Sequence, residues 1–235
     1  MRRIMGVVNN LIDLAFDKRI QPSSESRLSS IRDQLIIQFS CNTVIDVGAN
    51  SGQWASKLRK SGYLGNIISY EPSDVFYELE KKAKNDTLWQ VRKIALSNFS
   101  GYSTFFLASN SGLSSSMLKP KAILNQHLGI RFDNQVQVPV NRLDSEGIKG
   151  TNIYLKIDAQ GADFKVLQGS FNLLPNVAVI EFESALVELY EGEGGHYSIA
   201  AWLIELGFQP KQIVVTHWDS SLATISIDSI FSRLT

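Results

Sequence analysis

The sequence predicts an α/β domain built on a mainly parallel sheet with helices on both faces. Three observations carry that prediction. From Thr43 onward, short apolar runs alternate with amphipathic stretches of helical period. Three of the runs end in an acid followed closely by a turn residue: Asp46 before Gly48, Glu71 before Pro72, and Asp158 before Gly161. The last amphipathic stretch stops at Gly207, a usual punctuation for a helix end.

Each element follows from its own residues. Leu28, Ile31, Leu35 and Ile36 mark a helix that Ser23 and Ser24 are placed to cap, and Ile4, Val8, Leu11 and Ala15 mark an amphipathic helix before it. Residues 1–40 are therefore set apart as an N-terminal helical segment, with the roles of lid, acceptor-side wall or homodimer contact open to it. Residues 41–235 form the main domain. Within it, strands are expected at Thr43–Val47, Asn66–Tyr70, between Leu88 and Ala95, at Tyr102–Leu107, Val136–Val140, Ile153–Ile157 and Val177–Phe182. Helices are expected at Trp54–Lys60, Asp74–Lys84, Ala162–Gln168 and Ser198–Leu206, and Ser109–Pro120 reads as a loop. Ile213–Val215 and Ala223–Ile227 close the chain as an antiparallel pair.

Composition limits the function. The 235 residues are 44% hydrophobic and 20% charged, with 23 lysines and arginines against 23 aspartates and glutamates. A neutral balance lacks the basic excess that phosphate backbones require, so no nucleic-acid partner is expected. The one cysteine, Cys41, permits no intrachain disulfide and reads as a buried thiol in a cytoplasmic protein. The first apolar stretch is broken at Asn9, Asn10 and Asp13, too early for a membrane span. Asn85-Asp86-Thr87 and Asn98-Phe99-Ser100 are chance matches to the glycosylation triplet in that setting.

The chemistry concentrates at strand ends, where α/β sheets bind ligands. In Asp46-Val-Gly48-Ala49-Asn50-Ser51-Gly52, Gly48 permits a tight turn, Gly52 a close backbone approach to a ligand, and the helix that follows offers amide donors to a carboxylate. An acid here is awkward beside a pyrophosphate but welcome beside an ammonium and a sulfonium, and the spacing is not Gly-x-Gly-x-x-Gly. Glu71, before Pro72, is placed to accept both hydroxyls of a ribose. Ala95, Leu96 and Ser97 close the third strand, where apolar side chains and one small polar group suffice beside a purine. Asp158 is expected to face the same cleft as Asp46, where it is placed to hold the amino-acid portion of a sulfonium ligand or to orient an acceptor. Lys156, midway along its strand, reads as a structural ion-pair partner.

With these motifs in order, the chain resembles the FkbM family of methyltransferases from about Val44 to Arg233. The resemblance rests on VIDVGANSGQWA, YEPSDVFYELEKKA, IALSNFSG, SGLSSSM, VPVNRLDS, LKIDAQGADFKVLQGS, IEFESALVELYEG and IDSIFSR. It implies a class I methyltransferase fold, a mostly parallel, Rossmann-like sheet of seven strands. S-adenosylmethionine is then the cofactor and a hydroxyl of a sugar, glycolipid or secondary metabolite the acceptor. Family members often carry Glu at the positions of Gln160 and Asp163, and Gln160 weakens any scheme that needs a second acid there.

Transfer to an aliphatic hydroxyl gains from a general base. The candidates are Asp158, Glu181, His196 and His217, with Asp158 and His196 preferred. His196 lies in a glycine-rich stretch after the fifth strand, and His127 is peripheral. Asp158 and Glu181 carry oxygens that suit magnesium, yet no local cluster demands a metal. The Ser114–Ser116 loop is placed to close over the cofactor or touch the acceptor, and reads equally as an ordinary flexible loop. Two competing readings remain: an NAD(P)-dependent sugar-modifying enzyme, and a non-catalytic module that binds adenosylmethionine. Tyr77-x-x-x-Lys81 mimics a dehydrogenase pair but reads as a core aromatic and a surface charge. A base-modifying nucleic-acid methyltransferase is disfavoured because the chain has no Pro-Pro.

Overall fold

The computed structural model describes residues 24–218 and 223–234, so the predicted helix at Ile4–Ala15 and the cap at Ser23 lie outside the described residues. In chain order the strands are β1 (Thr43–Val47), β2 (Asn66–Tyr70), β3 (Trp89–Arg92), β4 (Ala95–Leu96), β5 (Gly101–Leu107), β6 (Asn134–Asn141), β7 (Ile153–Ile157), β8 (Val177–Ala185), β9 (Phe208–Trp218) and β10 (Thr224–Arg233). The helices are α1 (Ser24–Gln38), α2 (Gln53–Lys60), α3 (Phe76–Ala83), α4 (Ala122–Leu128), α5 (Asp163–Gln168) and α6 (His196–Glu205).

Seven strands form the main sheet in the order β3-β2-β1-β7-β8-β10-β9. Neighbours from β3 to β8 run parallel, and β10 runs antiparallel to both β8 and β9. Every residue of β1 and of β7 is buried, as central parallel strands require. Alternation along the strands divides them between two cores. Val44, Ile67, Tyr154 and Val179 pack under α1, α2 and α3, whereas Ile45, Ile68, Leu155 and Ile180 pack under α5 and α6. Each such side chain contributes about 1.5–3 kcal/mol on burial, so these two layers dominate the stability of the fold.

The path of the chain opens the site. After β1 it passes to α2 on one face, and after β7 to α5 on the other. The two loops diverge, leaving a crevice at the carboxyl ends of β1 and β7, where strand order reverses. This is the predicted α/β, Rossmann-like arrangement of seven strands. Helix α1 belongs to the same body, because Leu28, Leu35 and Ile36 share a core cluster with Val44, Leu58 and Val179. No helix among the described residues is long and apolar enough to cross a membrane.

Several boundaries differ from expectation. The third strand divides at Lys93–Ile94: β3 edges the main sheet, while β4 joins a second sheet of order β4-β6-β5. The 109–120 loop is held by bridges from Ser116 to Phe106 and from Pro120 to Tyr190, and it leads into α4, a helix the apolar pattern does not announce. The second helix begins at Phe76 because Ser73–Val75 form a turn first. Tyr77 is exposed, and Phe76 is the core aromatic there instead. The last helix starts at His196, and the final antiparallel pair is longer than its apolar centre. Cys41 is buried, and that burial pushes its thiol up to about 12.

Candidate active site

The glycine turn after β1 is shaped by its neighbours. Gly48 has φ +70°, and a Cβ there would meet the carbonyl oxygen of Asp158 at 1.9 Å. Only glycine lets the ends of β1 and β7 come so close. Gly52 answers a different need from the ligand approach expected of it, since a Cβ would meet Leu79 at 2.8 Å and Trp89 at 3.2 Å. It lets α2 start against α3 and β3. The amides of the turn are also committed. Gly48 and Ala49 donate to the Tyr70 carbonyl, Asn50 to Glu71, Ser51 to the Asn50 side chain, and Gly52 to the Ala49 carbonyl. The amides from Gly48 to Gly52 therefore hold the turn itself, and the helix that follows brings Gln53 and Trp54 of its first turn to the cavity wall.

Asp46 is fully buried, with Lys156 Nζ 3.2 Å from Oδ1 and the Ser69 hydroxyl donating to Oδ2 at 3.2 Å. It does not line the cavity in the crevice; Lys156 does, and lies 3.6 Å from Asp158 Oδ2. Burial works against the ammonium, but Asp46 and Asp158 outweigh it and hold Lys156 above the ordinary lysine range. Lys156 is thus the structural ion-pair partner expected, and it links Asp46 to the open site.

The cavity measures about 390 Å³, within the size range of small-molecule sites. One end is lined by Gly48, Ala49, Asn50, Glu71 and Pro72, with Ile94, Ala95, Leu96 and Phe105 as an apolar slot beside them. Ser97 is buried next to the slot without lining it. Glu71 Oε2 accepts the Asn50 amide at 2.9 Å, and Oε1 accepts the Ser73 amide at 2.9 Å and its hydroxyl at 2.6 Å. The carboxylate is locked in the wall with acceptor capacity to spare. Asn50 Nδ2 donates to the Ser111 carbonyl at 3.2 Å, tying the turn to the serine-rich loop. Gly112, Leu113, Ser115 and Met117 of that loop line the cavity.

The other end is built from β7, β8, β10 and α1. Arg32 grips Glu181 through Nε at 2.8 Å and Nη2 at 2.6 Å, Trp54 Nε1 donates to it at 3.2 Å, and the Tyr154 hydroxyl also donates. Burial favours a neutral Glu181, but the Arg32 charge prevails and holds its carboxyl below the usual range. Its lone pairs are occupied, so among the base candidates it is already engaged. Gln160 Nε2 donates to Asp158 Oδ1 at 2.7 Å and to Glu183 Oε2 at 2.9 Å. One amide thus joins two carboxylates. Burial, with the Asp158 charge second, raises Glu183 to about 7. Burial, with Glu183 and Glu181, raises Asp228 to about 8.

The cavity brings together Gly48, Ala49, Asn50, Glu71, Pro72, Ala95, Leu96 and Asp158 of the residues marked in the sequence. Gly52, Ser97 and Asp46 stand behind it. His196 is not in an exposed loop: it opens α6, is buried, bonds Ser184 Oγ through Nδ1 at 2.9 Å and stacks on Phe182. It does not line the cavity, and burial lowers its pKa. His217 is exposed, with Nδ1 4.0 Å from Glu183 Oε1. The side chain of His127 lies outside the described residues. Among the described residues no group of three or more His, Cys, Asp or Glu side chains is arranged to hold a metal ion.

Sequence reasoning missed Arg32, Glu183 and Asp228. Glu183 carried a signal, because two positions after Glu181 on one strand it shares a face with it. Asp228 carried none, since it reaches the site by pairing with Glu183 across antiparallel strands.

The methyltransferase FkbM domain matches residues 46–210. The chain is 26% identical over 162 residues to the 2-O-methyltransferase NoeI of Sinorhizobium fredii (strain NBRC 101917 / NGR234), an alignment covering 64% of this chain and 66% of that protein, just under two thirds of its length. Among solved structures it is similar to magnesium protoporphyrin IX methyltransferase (ChlM) from Synechocystis PCC 6803 with bound SAM. The TM-score there is 0.48 at 11% identity, over 88% of this chain and 78% of that one. It is also similar to the ribosomal protein L11 methylase from Lactobacillus delbrueckii subsp. bulgaricus, with TM-score 0.43 and 16% identity, over 86% of this chain and 79% of that one. With the family domain spanning well over half of its residues, the chain belongs to the FkbM family of methyltransferases, whose cofactor is S-adenosylmethionine.

Proposed function

We propose that the protein transfers a methyl group from S-adenosylmethionine to a hydroxyl of a sugar, glycan, glycolipid or secondary metabolite. The observation that carries this reading is the two-ended cavity, with a locked carboxylate and an apolar slot at one end and a cluster of acids at the other. The donor set fits the cofactor. Glu71 offers its remaining lone pairs to the ribose hydroxyls, Ile94, Ala95, Leu96 and Phe105 suit the adenine faces, and Asp158 suits the ammonium of the methionyl part. When bound, S-adenosylmethionine supplies an electrophilic methyl group on a sulfonium.

The rest falls to the chain. Gly48 keeps the β1 and β7 loops at the spacing that admits the cofactor, Asn50 anchors the serine-rich loop over it, and Lys156 balances Asp46 and Asp158 so that the crevice is not over-charged. The polar end receives the acceptor, and alignment of its oxygen with the methyl group is the main source of rate. Transfer to oxygen, the chemistry in the name of the Sinorhizobium relative, fits an end whose carboxylates accept hydroxyl protons.

Calorimetric titration with S-adenosylmethionine, followed by isotopic methyl transfer to free mono- and oligosaccharides, tests the reading. Cofactor binding and a base-stable methyl ether are expected. Binding of NAD(H) in place of S-adenosylmethionine would overturn it.

A further inference from the structure

Five acids and two cations meet around the inner end of the cavity. Lys156 is paired with Asp46 and Arg32 with Glu181. Asp158, Glu183 and Asp228 share what remains, at the mutual approach set by Gln160 and by the Glu183–Asp228 strand pairing. Carboxylates crowded in a buried space do not all ionise, so at least one holds a proton near neutral pH. Glu183 is the one with a way out. His217 Nδ1 lies 4.0 Å from Glu183 Oε1 and 3.0 Å from Ser226 Oγ, and the His217 side chain is 59% exposed.

We propose that Glu183 is the general base of the methyl transfer, oriented by the Gln160 amide, and that His217 passes the proton to solvent. The proposal rests on O-methylation as the reaction. As the acceptor oxygen bonds the methyl carbon, the carbon–sulfur bond breaks and its electron pair stays on sulfur. The hydroxyl proton moves to the Glu183 carboxylate, leaving a methyl ether, a neutral thioether and a protonated Glu183. His217 then takes that proton and releases it to water, restoring the carboxylate.

The groups facing Glu183 come from every element around it: Asp158, Gln160 and Lys156 from the β7 end, Glu181 on its own strand, Asp228 and Ser226 on β10, His217 on β9, and Asp163 and Tyr190 nearby. A value of about 7 is matched to proton transfer at neutral pH. It also explains a glutamine at 160. An acid there would add a further carboxylate to Asp158, Glu183 and Asp228 and remove the donor that both Asp158 and Glu183 use.

Three readouts test this on the whole chain. Infrared titration of the free chain should show a carboxyl that ionises near pH 7, absent in Glu183→Gln. Radiolabelled transfer to the saccharide panel should fall by about 100-fold or more in Glu183→Gln and partly recover in Glu183→Asp. Cofactor affinity by calorimetry should stay within about twofold, since Glu183 is assigned no cofactor contact. Gln160→Leu should move the infrared midpoint and the pH–rate profile to higher pH, a shift that mere loosening of the site would not give. Unchanged titration in Glu183→Gln overturns the proposal whatever the acceptor, as does wild-type transfer by that variant. Loss of cofactor binding by the wild-type chain would instead sink the methyltransferase reading itself.

Discussion

Arg32 and Glu181 meet in a two-point ion pair, Nε to Oε2 at 2.8 Å and Nη2 to Oε1 at 2.6 Å, joining α1 to the wall of the cavity. The guanidinium also lies over the Trp54 ring, 4.7 Å from its centroid. Arg32 precedes the stretch that matches the family domain, which begins at residue 46, so the pocket of this chain is completed from outside it.

Removing one partner of such a pair strands a buried charge. Arg32→Met is expected to lower unfolding free energy by about 3–5 kcal/mol, read from urea denaturation. Arg32→Met with Glu181→Leu should recover much of that loss, because the stranded charge is then gone as well. A single variant as stable as wild type would show that Tyr154, Trp54 and Lys156 satisfy Glu181 without Arg32.

Gly48→Ala combines a left-handed backbone with a Cβ 1.9 Å from the Asp158 carbonyl oxygen. The strain and overpacking together should cost about 3 kcal/mol or more. The β1 and β7 loops must part to admit the methyl group, so cofactor affinity should fall along with the melting temperature. Gly62→Ala is the control for backbone conformation alone: its φ is +99° and nothing lies within 4 Å of the added Cβ. Equal losses in the two variants would remove the close approach as the reason for glycine at 48.

These residues show how far the sequence could be read. β1, β2, β7 and β8 are legible because buried parallel strands are continuous apolar runs, and their carboxyl ends carry Asp46, Glu71 and Asp158. Asp46 reads as a ligand group because a strand-end acid ordinarily faces the crevice. Here it is fully buried behind the cavity and paired with Lys156. β4 and α4 were not legible: two residues of strand carry no period, and Ala122–Leu128 is too short for one. Arg32 and Asp228 become site residues only through contacts across 149 positions in the one case and an antiparallel register in the other. No local pattern encodes either.

Glu71 should matter to the cofactor as well as to the turn it holds. Glu71→Gln retains one amide oxygen for the Ser73 donors, but its Nε2 then faces the Asn50 amide donor and the charge offered to the ribose is lost. Affinity for S-adenosylmethionine is expected to weaken by about 10–100-fold, the worth of hydrogen bonds to a charged group. The stranded Asn50 amide should also lower unfolding free energy by about 1–3 kcal/mol, so affinity is compared well below both melting temperatures. Calorimetry showing full affinity would displace Glu71 from the ribose.

The acid cluster also sets how stability responds to pH. Glu183 and Asp228, raised to about 7 and about 8 from ordinary values of 4.5 and 3.8, keep their protons in the folded chain where the unfolded chain has lost them. The folded state then binds more protons, so stability falls as pH rises. Their contribution is whole below the unfolded values and lost as pH climbs through about 7 and about 8. His196, lowered from 6.5 by burial, acts oppositely, but only while the unfolded histidine is protonated. Glu181, lowered from 4.5, matters only in acid. The net expectation is a urea midpoint that declines from about pH 5 to about pH 8 at constant ionic strength. Glu183→Gln with Asp228→Asn should remove their share of the decline, since neither replacement titrates, and leave that of Asp163, which burial raises well above its ordinary value. A wild-type midpoint that rises across the window, or a decline the double variant keeps in full, would mean these two carboxyls ionise as they do in water.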